Sequence, residues 1–203
     1  MTRENTVISI IGQKGSGKSY LTKQILTEFP RVFILDNTQE YARAEIVEGF
    51  NDCVARIVKA SREKRFTISL RAETTDQDIA LLRLIETVPY VLVVIEEASR
   101  YVSSARLPDA IAKLIRFGRH KCISQIYLAR RATELHRDLT ANSDVIITFH
   151  QHEPRDLLYL REFMGEKVGD KGIKARKLSK YRFIAWGKKS KAPRIVISRL
   201  QSQ

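Results

Sequence analysis

The pattern of apolar and polar positions alternates between two periods along most of the chain. Short apolar, β-branched runs predict buried strands, and the segments between them repeat their apolar residues at helical spacing. The predicted strands cover residues 7–11, 31–35, 66–70, 90–95, 122–129, 144–149, 181–186 and 194–197, and the predicted helices cover 18–28, 45–60 and 154–164 and begin at 75 and 108. This alternation predicts an α/β fold in which helices flank a mainly parallel sheet, with short strands near the C-terminal end.

A glycine-rich loop follows the first predicted strand and leads directly into the first predicted helix. Its residues fit Gly-x-x-x-x-Gly-Lys-Ser, the P-loop pattern in its required context. Glycines let backbone N–H groups and the helix N-terminus surround phosphate oxygens, while Lys18 reaches the β- and γ-phosphates and Ser19 binds Mg²⁺. The predicted nucleotide-binding residues are Gly12, Gln13, Lys14, Gly15, Ser16, Gly17, Lys18, Ser19 and Tyr20.

Two adjacent carboxylates, Glu96 and Glu97, follow the continuous apolar run 90–95. Glu96 is expected to bind Mg²⁺, usually through water, and Glu97, on the other side of an alternating strand, to polarise the attacking water. Glu96 stands where most P-loop enzymes have Asp, and an acidic strand end without function is the alternative. Asp36 also follows a predicted strand, and we expect it to be either a helix cap or part of the nucleotide site.

Length and composition indicate a soluble globular chain. With 203 residues, 43% of them hydrophobic and 29% charged, we expect one P-loop domain over 1–170 and a basic extension over 171–203 that packs on it or continues it. Cys53 and Cys122 lie far apart in apolar surroundings, which predicts core residues rather than a metal site. No apolar run approaches the length of about 18 residues that a membrane span needs, so we expect an intracellular protein.

Charge is the unusual property of this sequence. The formal net charge is +13, and the chain from Lys171 onward contains eleven Lys and Arg residues and no acidic residue. Tyr181, Phe183 and Trp186 are interleaved with these charges, as in surfaces that bind nucleic acid. A solvated basic surface and a nucleic-acid contact are therefore both open interpretations of the tail.

The second half of the chain resembles a known family. Gly118-Arg119-His120 precedes one predicted strand, and residues 130–144 fit Arg-Arg-x-x-Glu-Leu-His-Arg-Asp-Leu-Thr-x-Asn-x-Asp before another. With both phosphate motifs, this order resembles the HerA and FtsK superfamily of DNA-pumping ATPases, and within it the genome-packaging ATPases of tailless, membrane-containing icosahedral viruses. The resemblance spans about residues 7–165. It implies a RecA-like sheet with a strand inserted between the two motif strands, ATP and Mg²⁺ as cofactors, and a six-subunit ring around double-stranded DNA.

The resemblance also implies roles for individual residues. Lys18 and Ser19 match the Walker A pair, and Glu96 and Glu97 match the Walker B pair. Arg119 matches the arginine that enters the neighbouring subunit's site as a finger, although a helix end followed by a basic residue also has a purely structural explanation.

One position departs from the family pattern. Relatives place Gln before Arg at the end of the strand that follows the finger, where the Gln senses the γ-phosphate, but this sequence has Arg130 followed by Arg131. Either Arg130 contacts the γ-phosphate directly, or Gln125, earlier on the same strand, contributes instead.

The resemblance implies that the protein hydrolyses ATP to translocate double-stranded DNA and packages a viral genome. It implies a location in the host cytoplasm or in the virion. Capsid or membrane-vertex proteins are the further partners that it implies. Arg100 and Arg106 are candidates for DNA-gripping loops by position and charge. One alternative is a HerA-like motor in DNA repair or defence. Another is an ATP-binding assembly switch that does not move DNA.

Overall fold

The computed structural model describes residues 5–164 and 178–187, and the backbone of 196–199. Within these ranges nine strands form one sheet in the order β3-β4-β2-β5-β6-β1-β7-β8-β9. The strands are β1 Val7–Ile11, β2 Arg31–Leu35, β3 Glu45–Glu48, β4 Phe66–Arg71, β5 Leu92–Ile95, β6 Ser124–Ala129, β7 Val145–Thr148, β8 Arg182–Gly187 and β9 Val196–Arg199. The helices are α1 Lys18–Leu26, α2 Phe50–Ala60, α3 Thr75–Ile85, α4 Asp109–Phe117, α5 Arg137–Asn142 and α6 Pro154–Met164.

The strands β1 to β7 pair in parallel, and β8 and β9 are added antiparallel beyond β7. The inserted strand expected from the resemblance is present, because β6 lies between β1 and β5. The carboxyl ends of these three neighbouring strands therefore meet at one edge, the edge where open α/β sheets bind ligands. The P-loop, the Glu96–Glu97 pair and Arg130 each follow one of these ends.

Hydrophobic packing covers both faces of the sheet. On β5, Val93 packs in the cluster that contains Leu81 of α3 and Leu114 of α4, whereas Val94 packs in the opposite cluster with Leu21 of α1. All four β5 residues are buried, which explains why the strand is a continuous apolar run rather than an alternating one. No helix in the described part of the chain is long and apolar enough to cross a bilayer.

The predicted helix 45–60 is wrong in its first part. Glu45–Glu48 is the edge strand β3, and Gly49, with φ of 85°, separates it from α2. This positive φ favours glycine, so Gly49 ends the strand and lets the chain turn into the helix.

Two predicted strands begin later than expected for a related reason. Tyr90 and Cys122 have φ of 57° and 53°, so the strands begin only at Leu92 and Ser124. The helix predicted to begin at 75 does so at Thr75, and Thr74 forms a capping box with Gln77 at its start. The predicted ranges 7–11, 31–35 and 154–164 are confirmed.

Candidate nucleotide-binding site

The P-loop turns tightly between β1 and α1. Gly15 and Gly17 have φ of 74° and 109°, which favour glycine, and a Cβ on Gly12 would lie 2.7 Å from Cβ of Phe149. Gly17 is directly followed by α1, so the unpaired N–H groups of the helix N-terminus open toward the loop. The local sequence therefore builds the predicted phosphate cradle.

Lys18 lies across this cradle. Its Nζ donates hydrogen bonds to the carbonyl oxygens of Gly12 at 2.7 Å and Gln13 at 3.1 Å. Burial lowers the pKa of Lys18, and the nearby carboxylates of Glu96 and Glu97 oppose this shift. A half-buried ammonium group with two carbonyl partners can transfer its hydrogen bonds to phosphate oxygens, which is the role predicted for it.

Ser19 and Glu96 form the candidate metal site. The Ser19 hydroxyl donates to Glu96 Oε1 at 3.0 Å, and the carboxylate is only 4% exposed. Burial raises the pKa of Glu96, while hydrogen bonds from Tyr41 and Ser19 oppose this rise. A hydroxyl and a carboxylate are the oxygen donors that Mg²⁺ prefers. These residues therefore fit a Mg²⁺ ion that is shared with nucleotide phosphates.

No cluster of three or more His, Cys, Asp or Glu side chains in the described residues could form a metal site without such help. Mg²⁺ commonly uses one or two carboxylates together with substrate phosphates and water rather than an all-protein cage. The sparse donor set therefore agrees with a metal that arrives with the nucleotide.

Glu96 and Glu97 lie together in the turn that follows β5. Both residues lie beyond the end of β5, and Glu97 adopts left-handed backbone angles of φ 49° and ψ 60° before the 3-10 helix Ala98–Arg100. Strand alternation therefore does not place the two side chains on opposite faces. This differs from the expectation from the sequence. A non-glycine residue in this conformation costs on the order of 1–3 kcal/mol and is found preferentially at functional sites.

A cavity of about 310 Å³ brings the predicted catalytic groups together. Its lining includes Lys18, Ser19, Glu96, Glu97 and Arg130, which come from the ends of β1, β5 and β6. Arg130 forms an ion pair with Glu97 inside it. The site therefore contains an ammonium group, the candidate metal ligands, a carboxylate and a guanidinium within one space.

A second cavity of about 330 Å³ adjoins the P-loop. Its walls are formed by P-loop residues from Gln13 to Ser16, by His150 after β7, and by Tyr181 and Arg182 at the start of β8. No sequence pattern predicted this cavity. Part of the basic, aromatic segment near the C-terminal end lines it beside the P-loop, and the nucleic-acid interpretation of that segment stays a prediction.

Arg119 lies away from these cavities. It is exposed in the 3-10 helix Gly118–Lys121, which precedes β6, whereas Arg130 follows that strand. A six-residue strand places its two ends about 20 Å apart, so Arg119 and the site of its own chain are at opposite edges of the sheet. Arg116, at the same edge, lies 3.7 Å from Asp138 in an exposed ion pair.

Gln125 cannot contact the γ-phosphate in this arrangement. It is 1% exposed at the beginning of β6, where its Nε2 donates to the Leu114 carbonyl at 2.8 Å and its Oε1 accepts from the Tyr127 hydroxyl at 2.7 Å. Arg131 also points to a structural partner, because its Nε donates to Asp156 at 2.9 Å. Of the candidates for the sensor position, only Arg130 lies in the site.

Asp36 is not a helix cap. Its buried carboxylate accepts hydrogen bonds from the backbone N–H groups of Glu40 at 2.9 Å and Tyr41 at 3.2 Å, and from the Ser69 hydroxyl at 3.0 Å. Asp36 therefore holds the loop between β2 and β3. Through this loop it supports Tyr41, which contacts Glu96.

Solved structures share this architecture over nearly the whole chain. The genome-packaging NTPase B204 of Sulfolobus turreted icosahedral virus 2, in complex with ATP-γS, has a TM-score of 0.77 and 20% sequence identity, covering 97% of this chain and 98% of that chain. B204 of Sulfolobus turreted icosahedral virus has a TM-score of 0.73 and 22% identity, with the same two coverages. This chain has the same fold as B204.

The fold of this chain also resembles part of a larger protein. The pCW3 conjugation coupling protein TcpA, in complex with ATPγS, has a TM-score of 0.60 and 14% identity, covering 93% of this chain and 59% of that chain. No family model and no curated protein matches the sequence. The predicted α/β P-loop fold and its resemblance to viral packaging ATPases are thus confirmed at the level of the fold. The roles of individual residues stay predictions.

Proposed function

We propose that the protein is an ATP-hydrolysing motor that translocates double-stranded DNA and packages a viral genome. One observation carries the proposal: Lys18, Ser19, Glu96, Glu97 and Arg130 line one cavity at the ligand-binding edge of the sheet. The fold supports it, because B204 is a genome-packaging NTPase that has been captured with ATP-γS, AMP and AMPPCP.

The geometry supports in-line attack of water on the γ-phosphate. The P-loop N–H groups and Lys18 would bind the β- and γ-phosphates, and Ser19 and Glu96 would hold a Mg²⁺ ion, which would neutralise phosphate charge. Glu97 accepts a proton from the attacking water, and Arg130 stabilises the charge that develops on the γ-phosphate. The adjoining cavity at His150 and Tyr181 has the position and size to receive the base of the nucleotide.

A ring explains the position of Arg119. Because this arginine is exposed at the sheet edge opposite its own site, any catalytic contact that it makes is with another subunit. An exposed guanidinium at a subunit boundary can stabilise transition-state charge in the neighbouring site. This placement supports an assembly in which neighbouring subunits share their sites, and we propose that this assembly is a hexameric ring with DNA at its centre.

Hydrolysis can be coupled to DNA movement through the segment after β5. Glu97 is followed immediately by the 3-10 helix Ala98–Arg100, and the exposed Arg100 and Arg106 lie on this same connection to α4. A change at the γ-phosphate is thereby transmitted over only a few residues to cations that can bind DNA phosphates. These arginines are our candidates for the DNA-gripping loops.

The test measures ATP hydrolysis with and without linear double-stranded DNA, together with the mass of the native assembly. A motor predicts a ring whose hydrolysis is stimulated by DNA of any sequence. A matched Lys18→Ala variant controls for contaminating ATPases. Nucleotide-dependent assembly without any effect of DNA would instead support the assembly switch.

A further inference from the structure

Tyr41 contacts the candidate metal carboxylate although it lies in a different part of the sequence. The residue is 3% exposed in the loop between β2 and β3, and its hydroxyl donates to Glu96 Oε2 at 2.9 Å. Ser19 donates to the other oxygen, Oε1, at 3.0 Å. Each oxygen of this buried carboxylate therefore has its own hydroxyl donor.

The position of Tyr41 is fixed from two sides. Its backbone N–H donates to Asp36, which is fully buried at the end of β2 and also accepts from Ser69 on β4. On the other side, the Lys23 ammonium of α1 lies 5.5 Å from the centre of the Tyr41 ring. Tyr41 is thus anchored to the sheet through Asp36 and lies against α1, and this placement holds its hydroxyl next to Glu96.

Glu96 needs such a support more than the usual Asp does. A glutamate carries one more methylene and one more rotatable bond, so its carboxylate has more orientations to lose on ordering. Ser19 alone is a poor support for Glu96, because its hydroxyl oxygen is the proposed metal ligand and would have to turn toward the ion. Tyr41 has no assigned ligand role and can keep its bond to Oε2 throughout.

We propose that Tyr41 is a positioning residue that holds Glu96 in the orientation required for Mg²⁺, offsetting the extra freedom of Glu at this position. The proposal rests on the proposed ATPase site. Removing a hydrogen-bond partner of a metal ligand typically lowers metal affinity or activity by about 10–100-fold. We therefore expect Tyr41→Phe, which keeps the ring and removes the hydroxyl, to weaken divalent-ion binding by about tenfold.

Tyr101 provides a matched control. It is 1% exposed, and its hydroxyl donates to the buried carboxylate of Asp78 at 2.8 Å, outside the candidate site. Tyr101→Phe therefore removes an equivalent buried hydroxyl–carboxylate bond without touching Glu96. A loss common to both variants would reflect general destabilisation, whereas a loss confined to Tyr41→Phe reflects the position of Glu96.

The experiment measures Mn²⁺ binding by electron paramagnetic resonance in the presence of ATPγS, and ATPγS binding without divalent ion. Tyr41→Phe should require about tenfold more Mn²⁺ and bind metal-free ATPγS as the wild type does. Tyr101→Phe should match the wild type in both. In a Glu96→Asp background, where the shorter side chain no longer reaches Tyr41 in the same way, Tyr41→Phe should have a smaller effect.

Two failures can be told apart. If the wild type bound neither metal-free ATPγS nor Mn²⁺ with ATPγS, the proposed ATPase function would be wrong. If the wild type bound both and Tyr41→Phe had unchanged Mn²⁺ affinity, the positioning role alone would be overturned. Equal weakening of metal-free and metal-dependent binding in Tyr41→Phe would also overturn it, because the residue would then only support the fold.

Discussion

Arg130, at the carboxyl end of β6, forms an ion pair with Glu97, which follows the carboxyl end of the neighbouring strand β5. The candidate γ-phosphate contact thus holds the candidate general base. A γ-phosphate bound in the shared cavity would be a second anion for the same guanidinium, so nucleotide binding and the release of Glu97 toward water are expected to be coupled.

The first prediction concerns Arg130. Arg130→Ala should bind ATP but hydrolyse it about 10²–10³-fold more slowly, the usual effect of losing one donor to a developing charge. Arg130→Gln should retain more activity than Arg130→Ala, because it supplies an amide donor and the residue type found in relatives at this place. Steady-state hydrolysis and ATPγS binding of the two variants provide the test. Equal activity of the wild type and Arg130→Ala would remove Arg130 from the mechanism.

The second prediction concerns Glu97. Glu97→Gln should keep ATP binding while lowering hydrolysis by about 10²–10⁴-fold, because it preserves the phosphate cradle and removes the proton acceptor. Lys18→Ala should lose both binding and hydrolysis. Glu28→Gln, an exposed carboxylate after the end of α1, is the neutral control. Hydrolysis by Glu97→Gln at the wild-type rate would show that another group activates water.

Local sequence patterns were sufficient to predict that the P-loop and the acidic pair lie together at one edge of the sheet. The P-loop and the Glu96–Glu97 pair each lie within a few residues of a strongly apolar strand, and parallel pairing then brings such strand ends to one edge. The insertion of one strand between the two motif strands, which is β6 in the structure, came from the family resemblance. The edge strand β3 was missed because its four residues fit the helical spacing of α2, and Gly49 was the signal that separated them.

The supporting residues could not be predicted in the same way. Tyr41 lies in a loop without periodicity and reaches Glu96 across 55 positions of sequence, so only the folded sheet brings them together. The same holds for His150 and Tyr181, which line the second cavity from separate segments. The position of Arg119 relative to another subunit's site is a property of the assembly, which a single chain does not contain.

The third prediction tests Arg119 across subunits. An arginine finger contributes on the order of 10³–10⁵ in rate in P-loop enzymes, so Arg119→Ala should bind ATP and hydrolyse it very slowly. Mixing Arg119→Ala with Glu97→Gln should restore partial hydrolysis, since some sites then combine an intact Glu97 with an intact Arg119 of the neighbour. Arg116→Ala, at the same edge, is the matched control.

Subunit exchange must be shown in the same mixture, for example by fluorescence transfer between labelled subunits. With exchange present and no activity restored, a finger role for Arg119 would be excluded. The large distance between Arg119 and the site of its own chain leaves a structural role as the explanation in that case.

The fourth prediction concerns DNA affinity and salt. Deleting the whole tail would remove β8, which pairs with β7 and lines the second cavity, so point substitutions are the better test. Lys188, Lys189 and Lys191 lie outside the described residues and can be replaced together by Gln. If they bind phosphates, the slope of log affinity against log salt should fall by about 0.9 for each phosphate that is no longer neutralised, without a change in sequence preference. An unchanged slope would identify this part of the tail as a solvated surface.

Movement along DNA is tested most directly by triplex displacement. Wild-type protein with ATP and Mg²⁺ should release a labelled third strand from a double-stranded DNA track, with a delay that lengthens as the track lengthens. ATPγS and the Glu97→Gln variant should release none, although both should still allow DNA binding. Rapid ATP hydrolysis on the same DNA without any third-strand release would contradict the motor.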